Sequence, residues 1–311
     1  MNQKILRLKK PENAGEARKI ISPTSDMFAR YLLAGEGHRL LTESFINAVL
    51  ENSDDPLIQT VEIKSPFNLA DWADDRETIL DVKVADSTGA LYDIEIQNAL
   101  HRGFFNRLAL YWAQMYAGQA ESGTPYENLC PCTVIALLHE NIYPDMNKPH
   151  TCSVTVDRRE RSRLFFPDSP ARYHILELDK FELNEKQLYT VDSRGTQEPV
   201  KQKLCRWLRF FKDGAREDFM TRYGETDTDI AEAKKTYEDF ISDEQARDAE
   251  FRHRIYLMDR AQEQSDARKE GLAEGTRKTT LTNARNLKRL GVSDKIIAEA
   301  TGLTPGEIAA L

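Results

Sequence analysis

Residues 79–97 read ILDVKVADSTGALYDIEIQ: two short runs, Ile79-Leu80-Asp81-Val82-Lys83-Val84 and Leu91-Tyr92-Asp93-Ile94-Glu95-Ile96-Gln97, joined by a polar turn. Both carry acids among Ile, Leu and Val. Side chains alternate between the faces of a strand. Leu91, Asp93, Glu95 and Gln97 thus share one face of the second run, and Tyr92, Ile94 and Ile96 the other. In the first run Ile79, Asp81 and Lys83 oppose Leu80, Val82 and Val84. A hairpin through ADSTGA must superimpose the wholly apolar faces, because a one-residue slip would put Asp81 beside Ile94 in the core. That register gathers Asp81, Lys83, Asp93, Glu95 and Gln97 on one surface.

Carboxylates brought together raise a pKa or demand a cation between them. Hard oxygen donors beside an amide and a lysine suit Mg²⁺ or Mn²⁺ better than zinc. The same residues also suit a solvent-facing sheet surface on which Lys83 pairs with Asp93 across the strands. Residue pattern alone leaves both open.

The surroundings read as α/β. SPTSDMFARYLLAGEGHRLLTESFINAVLE (22–51) is a helix broken at Gly35-Glu36-Gly37 and resumed, with Ser22 or Ser25 as its cap. A short strand is expected within 58–64. GFFNRLALYWAQMYAGQ (103–119) has Phe104, Leu108, Tyr111, Trp112 and Met115 along one stripe, and CTVIALLHE (132–140) is a strand buried on both faces. TCSVTV and RYHILELD add two strands. Strands, a helix and then a buried strand imply a mixed sheet with helices on both sides. Residues 1–21 read as a basic tail. Beyond about 200 the chain is helical, with one charged, proline-free helix expected from Asp229 to about Lys269 and a helix–turn–helix-like end at 276–311.

Composition narrows the function classes. The chain has 311 residues, with apolar and charged fractions of 40% and 30%, as in globular proteins. No apolar run approaches the roughly 20 residues of a membrane span, and the N-terminus lacks the apolar core of a secretory signal. The four cysteines then read as reduced and the chain as cytoplasmic. Cys130-Pro131-Cys132 is C-x-C rather than C-x-x-C, and ordinary buried cysteines are expected. A net charge of −8 argues against indiscriminate coating of nucleic acid, not against a local basic groove. Arg158, Arg159, Arg161 and Arg163 form one basic cluster, and Arg277, Lys278, Arg285, Lys288 and Arg289 another.

An acid on one strand, acid-x-polar on the next and a helix on either side resemble the PD-(D/E)XK nuclease superfamily. Within it the chain is similar to the Rpn-type recombination-promoting nucleases, the PD-(D/E)XK family transposases. The likeness rests on the acid in SPTSDMFARYLLAG, on ILDVKV and YDIEIQ, on the helix with Arg107 and Tyr111, and on the tail ARNLKRLGVSDKIIAEATGLTPGEIAAL. It implies a restriction-endonuclease-like core, a mixed sheet flanked by helices, with an α-helical C-terminal region. The expected divisions are 1–21, a nuclease-like domain at 22–185, a helical region at 186–275 and the segment 276–311.

The resemblance further implies a Mg²⁺-dependent (or Mn²⁺- or Ca²⁺-dependent) DNA endonuclease linked to recombination or mobile elements. Its metal ligands would be Asp81, Glu95 and the carbonyl of Ile96. Gln97 stands where the superfamily usually has lysine; an amide can hydrogen-bond a water but carries no charge. Asp26 matches the helical acid, and Lys83, Arg107 and Tyr111 become candidates for DNA contact, with Tyr111 leaning to the core. Leu80 replaces the usual proline. DNA is the implied partner, with a homo-oligomer through the C-terminal helices and no membrane. The alternative is a non-catalytic DNA- or partner-binding protein on a degenerate nuclease fold.

Overall fold

The structure, a computed structural model, describes residues 9–64, 82–97, 102–146, 148–160, 170–180, 189–191, 197–199, 201–223 and 227–311. The hairpin forms: β2 (Val82–Asp86) and β3 (Leu91–Gln97) pair antiparallel, with Val82 opposite Ile94, Lys83 opposite Asp93 and Val84 opposite Tyr92. The apolar faces coincide as parity requires. At the turn Asp86 Oδ1 accepts the N–H groups of Thr88 and Ala90 at 2.8 and 3.0 Å. Gly89 sits at φ +88°, and a Cβ there would lie 2.9 Å from Cys130 Sγ, so a larger residue is strained here and must displace that thiol.

β1 (Val61–Ile63) extends the hairpin antiparallel. On the other side β4 (Cys132–Leu138) runs parallel to β3, a pairing that needs a long crossover; α4 (Phe104–Ala117) provides it. β6 (Ala171–Glu177) is parallel to β4, and β5 (His150–Ser153) closes the edge antiparallel to β6. The sheet is therefore mixed and six-stranded, in the order β1-β2-β3-β4-β6-β5. Its central strand, β4, is buried throughout, as its unbroken apolar run demands.

Two apolar layers cover the sheet. Phe104, Leu108 and Met115 of α4 pack on Val134, Ala136 and Ile175. The opposite face carries Val82, Val84, Tyr92 and Ile94. It is covered by α2 (Asp26–Ala34), α3 (Arg39–Glu51), α5 (Gln202–Asp213) and α7 (Thr228–Ser242). Phe28 lies at the centre of that layer, fully buried, with ring centroids 5.1 Å from Tyr237 and 5.3 Å from Phe240. Phe28→Ala is expected to cost about 3–5 kcal/mol, read as a lowered denaturation midpoint.

Three organisational expectations are corrected. From residue 9 onward the N-terminal segment is not a tail. It forms α1 (Ala14–Arg18), buries Ala17 and Ile21, pairs Arg18 with Glu238, and its Ile21 carbonyl accepts the Tyr237 hydroxyl at 2.7 Å. The helical region does not stand apart at 186. Residues 189–191 and 197–199 form a two-stranded ribbon, and α5, the short α6 (Phe219–Tyr223) and α7 complete the sheet's own core. The long helix is broken after Ser242, where Asp243 Oδ1 accepts the Ala246 N–H at 2.7 Å, and α8 (Glu244–Arg289) then runs well past Lys269.

The compact units are 1–251 and 252–311, with the division inside α8. In the second unit, α9 (Asp294–Thr301) and α10 (Pro305–Ala309) fold against the end of α8 around Ala284, Ile297 and Ile308. Thr304 and Glu307 form a capping box at α10, and Lys288 Nζ donates to the Ile308 carbonyl at 2.6 Å. No helix among the described residues is long and apolar enough to cross a membrane.

Candidate active site

β3 carries polar side chains into a packed layer. Ile94 and Ile96 join the α2 side of the core, so Leu91, Asp93, Glu95 and Gln97 face α4. Asp93 is fully buried and Glu95 nearly so. A carboxylate in such a place needs a cation or hydrogen-bond donors. Arg107, in the second turn of α4, meets Glu95 with Nη2 2.6 Å from Oε1. The same guanidinium donates to the amide oxygen of Gln97 and lies over the Tyr111 ring, 5.9 Å from its centroid. Arg107 is a third exposed, so its charge stands between the buried acid and solvent. α4 enters at Gly103, whose φ of +89° suits glycine best.

The far end of β3 is tied to the start of α2. The Gln97 carbonyl accepts the His139 N–H at 3.3 Å, and His139 Nε2 lies 2.7 Å from Thr24 Oγ1. Ser25 caps α2 by accepting the Phe28 N–H, and Asp26 opens its first turn, where the helix dipole favours an acid. Burial lowers the pKa of His139, which keeps its ring neutral and able to accept. Thr24 and His139 are absent from the sequence reading. Their only signals are a histidine directly after the apolar CTVIALL and the polar turn before Asp26.

The remaining site residues divide by position. Lys83 lies opposite Asp93, toward the Leu91 end of the hairpin, and lines a cleft of about 280 Å³ with Lys64, Gln114 and Gln119. Tyr111 is half-buried beside Arg107 rather than part of the apolar cluster under α4. The Ile96 side chain packs into the core, which leaves only its main chain for chemistry. Asp81 and Leu80 lie outside the described residues, as do Arg161 and Arg163.

The donors on this face are all oxygens: the carboxylates of Asp93 and Glu95 and the amide of Gln97. A cation, Arg107, already sits on two of these side chains. The set fits a hard divalent ion, which would share Glu95 with Arg107. Another carboxylate in the sheet, Glu177, is structural by contrast. Lys180 Nζ lies 2.8 Å from its Oε2, and the Ile142 and Tyr143 N–H groups donate to Oε1.

Among known proteins, the family model of the PD-(D/E)XK nuclease family transposases matches residues 23–267, from just before α2 into α8. No curated protein and no solved structure matches the chain. The matched span includes the whole sheet, Asp26, β3 with its acids, and the helix carrying Arg107. The chain belongs to the PD-(D/E)XK nuclease family transposases.

Proposed function

We propose that the chain is a metal-dependent DNA endonuclease whose divalent ion is held by Asp81, Glu95 and the carbonyl of Ile96. The observation that carries this reading is the buried Glu95 carboxylate, sharing Arg107 with Gln97, in a chain of a nuclease family. Asp81 directly precedes Val82 in the sequence, and Val82 pairs with Ile94, the residue before Glu95. Bound Mg²⁺ or Mn²⁺ supplies a water of lowered pKa and polarises a phosphoryl oxygen.

The chain's own residues do the rest. Arg107 pairs with the Glu95 carboxylate and takes the amide oxygen of Gln97, which fixes the amide with its NH₂ group as the donor end. That end donates to a water or phosphate oxygen, as the superfamily's lysine does. The charge an amide lacks comes from the guanidinium behind it. Tyr111 supports that guanidinium from below. Lys83 and Lys64, in their cleft, hold the DNA backbone. Asp26 acts from the start of α2, which the Thr24–His139 tie holds near the end of β3. The C-terminal helices serve association between copies rather than base reading, because α10 carries no Lys or Arg and its Glu307 is spent on a cap and on Arg277, 3.6 Å away.

The Arg107–Glu95 pair also favours a second reading: an acid so neutralised needs no metal, and the protein would bind DNA without cutting it. Supercoiled plasmid incubated with the protein separates the two. Nicking that requires Mg²⁺ or Mn²⁺ and stops with chelator is expected. A mobility shift without nicks under any metal would establish the second reading, and neither effect would remove both.

A further inference from the structure

On the sheet's other face, at its far edge, a second group of ligating side chains has no part in the chemistry above. Cys152 of β5 stands directly opposite His174 of β6. Asp55 reaches the same place from the loop after α3. His174 Nε2 lies 3.7 Å from Asp55 Oδ2 and 4.0 Å from Cys152 Sγ, and the three donor atoms all lie within 4.8 Å of one another. A tetrahedral zinc ion would set nitrogen and oxygen about 3.4 Å apart, and nitrogen and sulfur about 3.6 Å apart. Small inward movements of Asp55 and Cys152 therefore suffice, and Cys152 is exposed and able to make one.

The surroundings orient these ligands. Ser53 Oγ donates to Asp55 Oδ2 at 2.7 Å, and Arg172 Nη1 stands 3.4 Å from Asp55 Oδ1. Asp54, at φ +56°, turns the chain so that Asp55 faces the sheet. His174 is wholly buried, with its Nδ1 3.0 Å from Nε2 of the buried His150. His150 Nδ1 lies 2.7 Å from Asn52 Nδ2, and Asn52 Oδ1 accepts the Lys201 N–H at 2.7 Å.

We propose that Asp55, Cys152 and His174 bind one zinc ion, which staples the edge strand β5 to the end of α3, and that Asn52 governs how tightly it binds. Thiolate, imidazole and carboxylate together select zinc over Mg²⁺, and three protein ligands leave a fourth position for water. Binding replaces the Cys152 thiol proton, which is released to solvent.

The role of Asn52 follows from the donors. A backbone N–H can only donate, so Lys201 holds Asn52 with its oxygen outward and its NH₂ group on His150 Nδ1. His150 then carries its proton on Nε2 and donates to His174 Nδ1, and His174 carries its own proton on Nε2, where the ion would bind. Metal binding needs that nitrogen bare, so the proton must sit on Nδ1 and the chain of donors must reverse. At its end two donors, His150 Nδ1–H and the Asn52 NH₂, would meet. A carboxylate at position 52 removes this conflict, since it accepts from His150 and from Lys201 alike.

Metal-stripped protein titrated with Co²⁺ and then Zn²⁺ tests the proposal. One equivalent of Co²⁺ should give a thiolate-to-cobalt charge-transfer band that Zn²⁺ abolishes. The band should be lost in Cys152→Ser at unchanged circular dichroism, and kept in Glu95→Gln, which alters the nuclease face. Asn52→Asp should tighten Zn²⁺ binding roughly tenfold or more. Absence of the band in the wild type, its survival in Cys152→Ser or its loss in Glu95→Gln would overturn the site. Unchanged or weaker binding in Asn52→Asp would overturn the role of Asn52.

Discussion

Glu95→Gln should reduce plasmid cleavage roughly 10³-fold while leaving the fold intact. The substitution keeps size and shape and removes only the charge. With it go a ligand for the ion and the counter-charge that positions Arg107, so binding and orientation fail together. The stability cost stays near 1–3 kcal/mol, because Arg107 is partly exposed and can turn toward water. Single-turnover cleavage and a denaturation curve on the same preparation read both quantities. Activity within a few-fold of wild type would show that this carboxylate does not hold the reactive ion.

Arg107→Met is expected to have the next largest effect, and its signature is a split. Cleavage should fall about 100-fold, because the charge behind the Gln97 amide is lost. The Mg²⁺ concentration for half-maximal activity should fall as well, because Glu95 is released from a competing cation. Methionine keeps an unbranched apolar side chain and removes the guanidinium that lies over Tyr111, so the effect read is loss of the charged group rather than of the whole side chain. A metal titration of the variant's rate measures both. A rise in the Mg²⁺ requirement would mean that Arg107 helps to build the ion site rather than sharing it.

The hairpin was legible because its alternation is strict. Only one register buries Val82, Val84, Tyr92 and Ile94 together, and that is the register found. β4 was legible because a wholly apolar run can only be central. The partner of Arg107 was not. Sequence placed it on a helical face with Tyr111, but which strand side chains meet that face depends on how the crossover from β3 to β4 seats α4. The tie between Thr24 and His139 joins residues 115 apart, and its local signs, a histidine after CTVIALL and a polar turn before Asp26, do not pair the two. The docking of residues 9–21 was hidden for the same reason, since Arg18 and Ile21 find their partners in α7. The break at Asp243 did have a sign. Ser242-Asp243 followed by Glu244 and Gln245 reads as a helix start, but it lacks the Gly or Pro that marked the break at 35–37. Asp55, Cys152 and His174 come from three distant segments with no metal-binding spacing, so only the folded sheet brings them together.

The central claim is that Asp81 and Glu95 share one divalent ion that cuts DNA. Its most direct test is nicking of supercoiled plasmid in Mg²⁺ by wild type and by Asp81→Ala, at matched circular dichroism and melting temperature. The account predicts nicking by the wild type and none by the folded variant. Equal nicking by the two would contradict it.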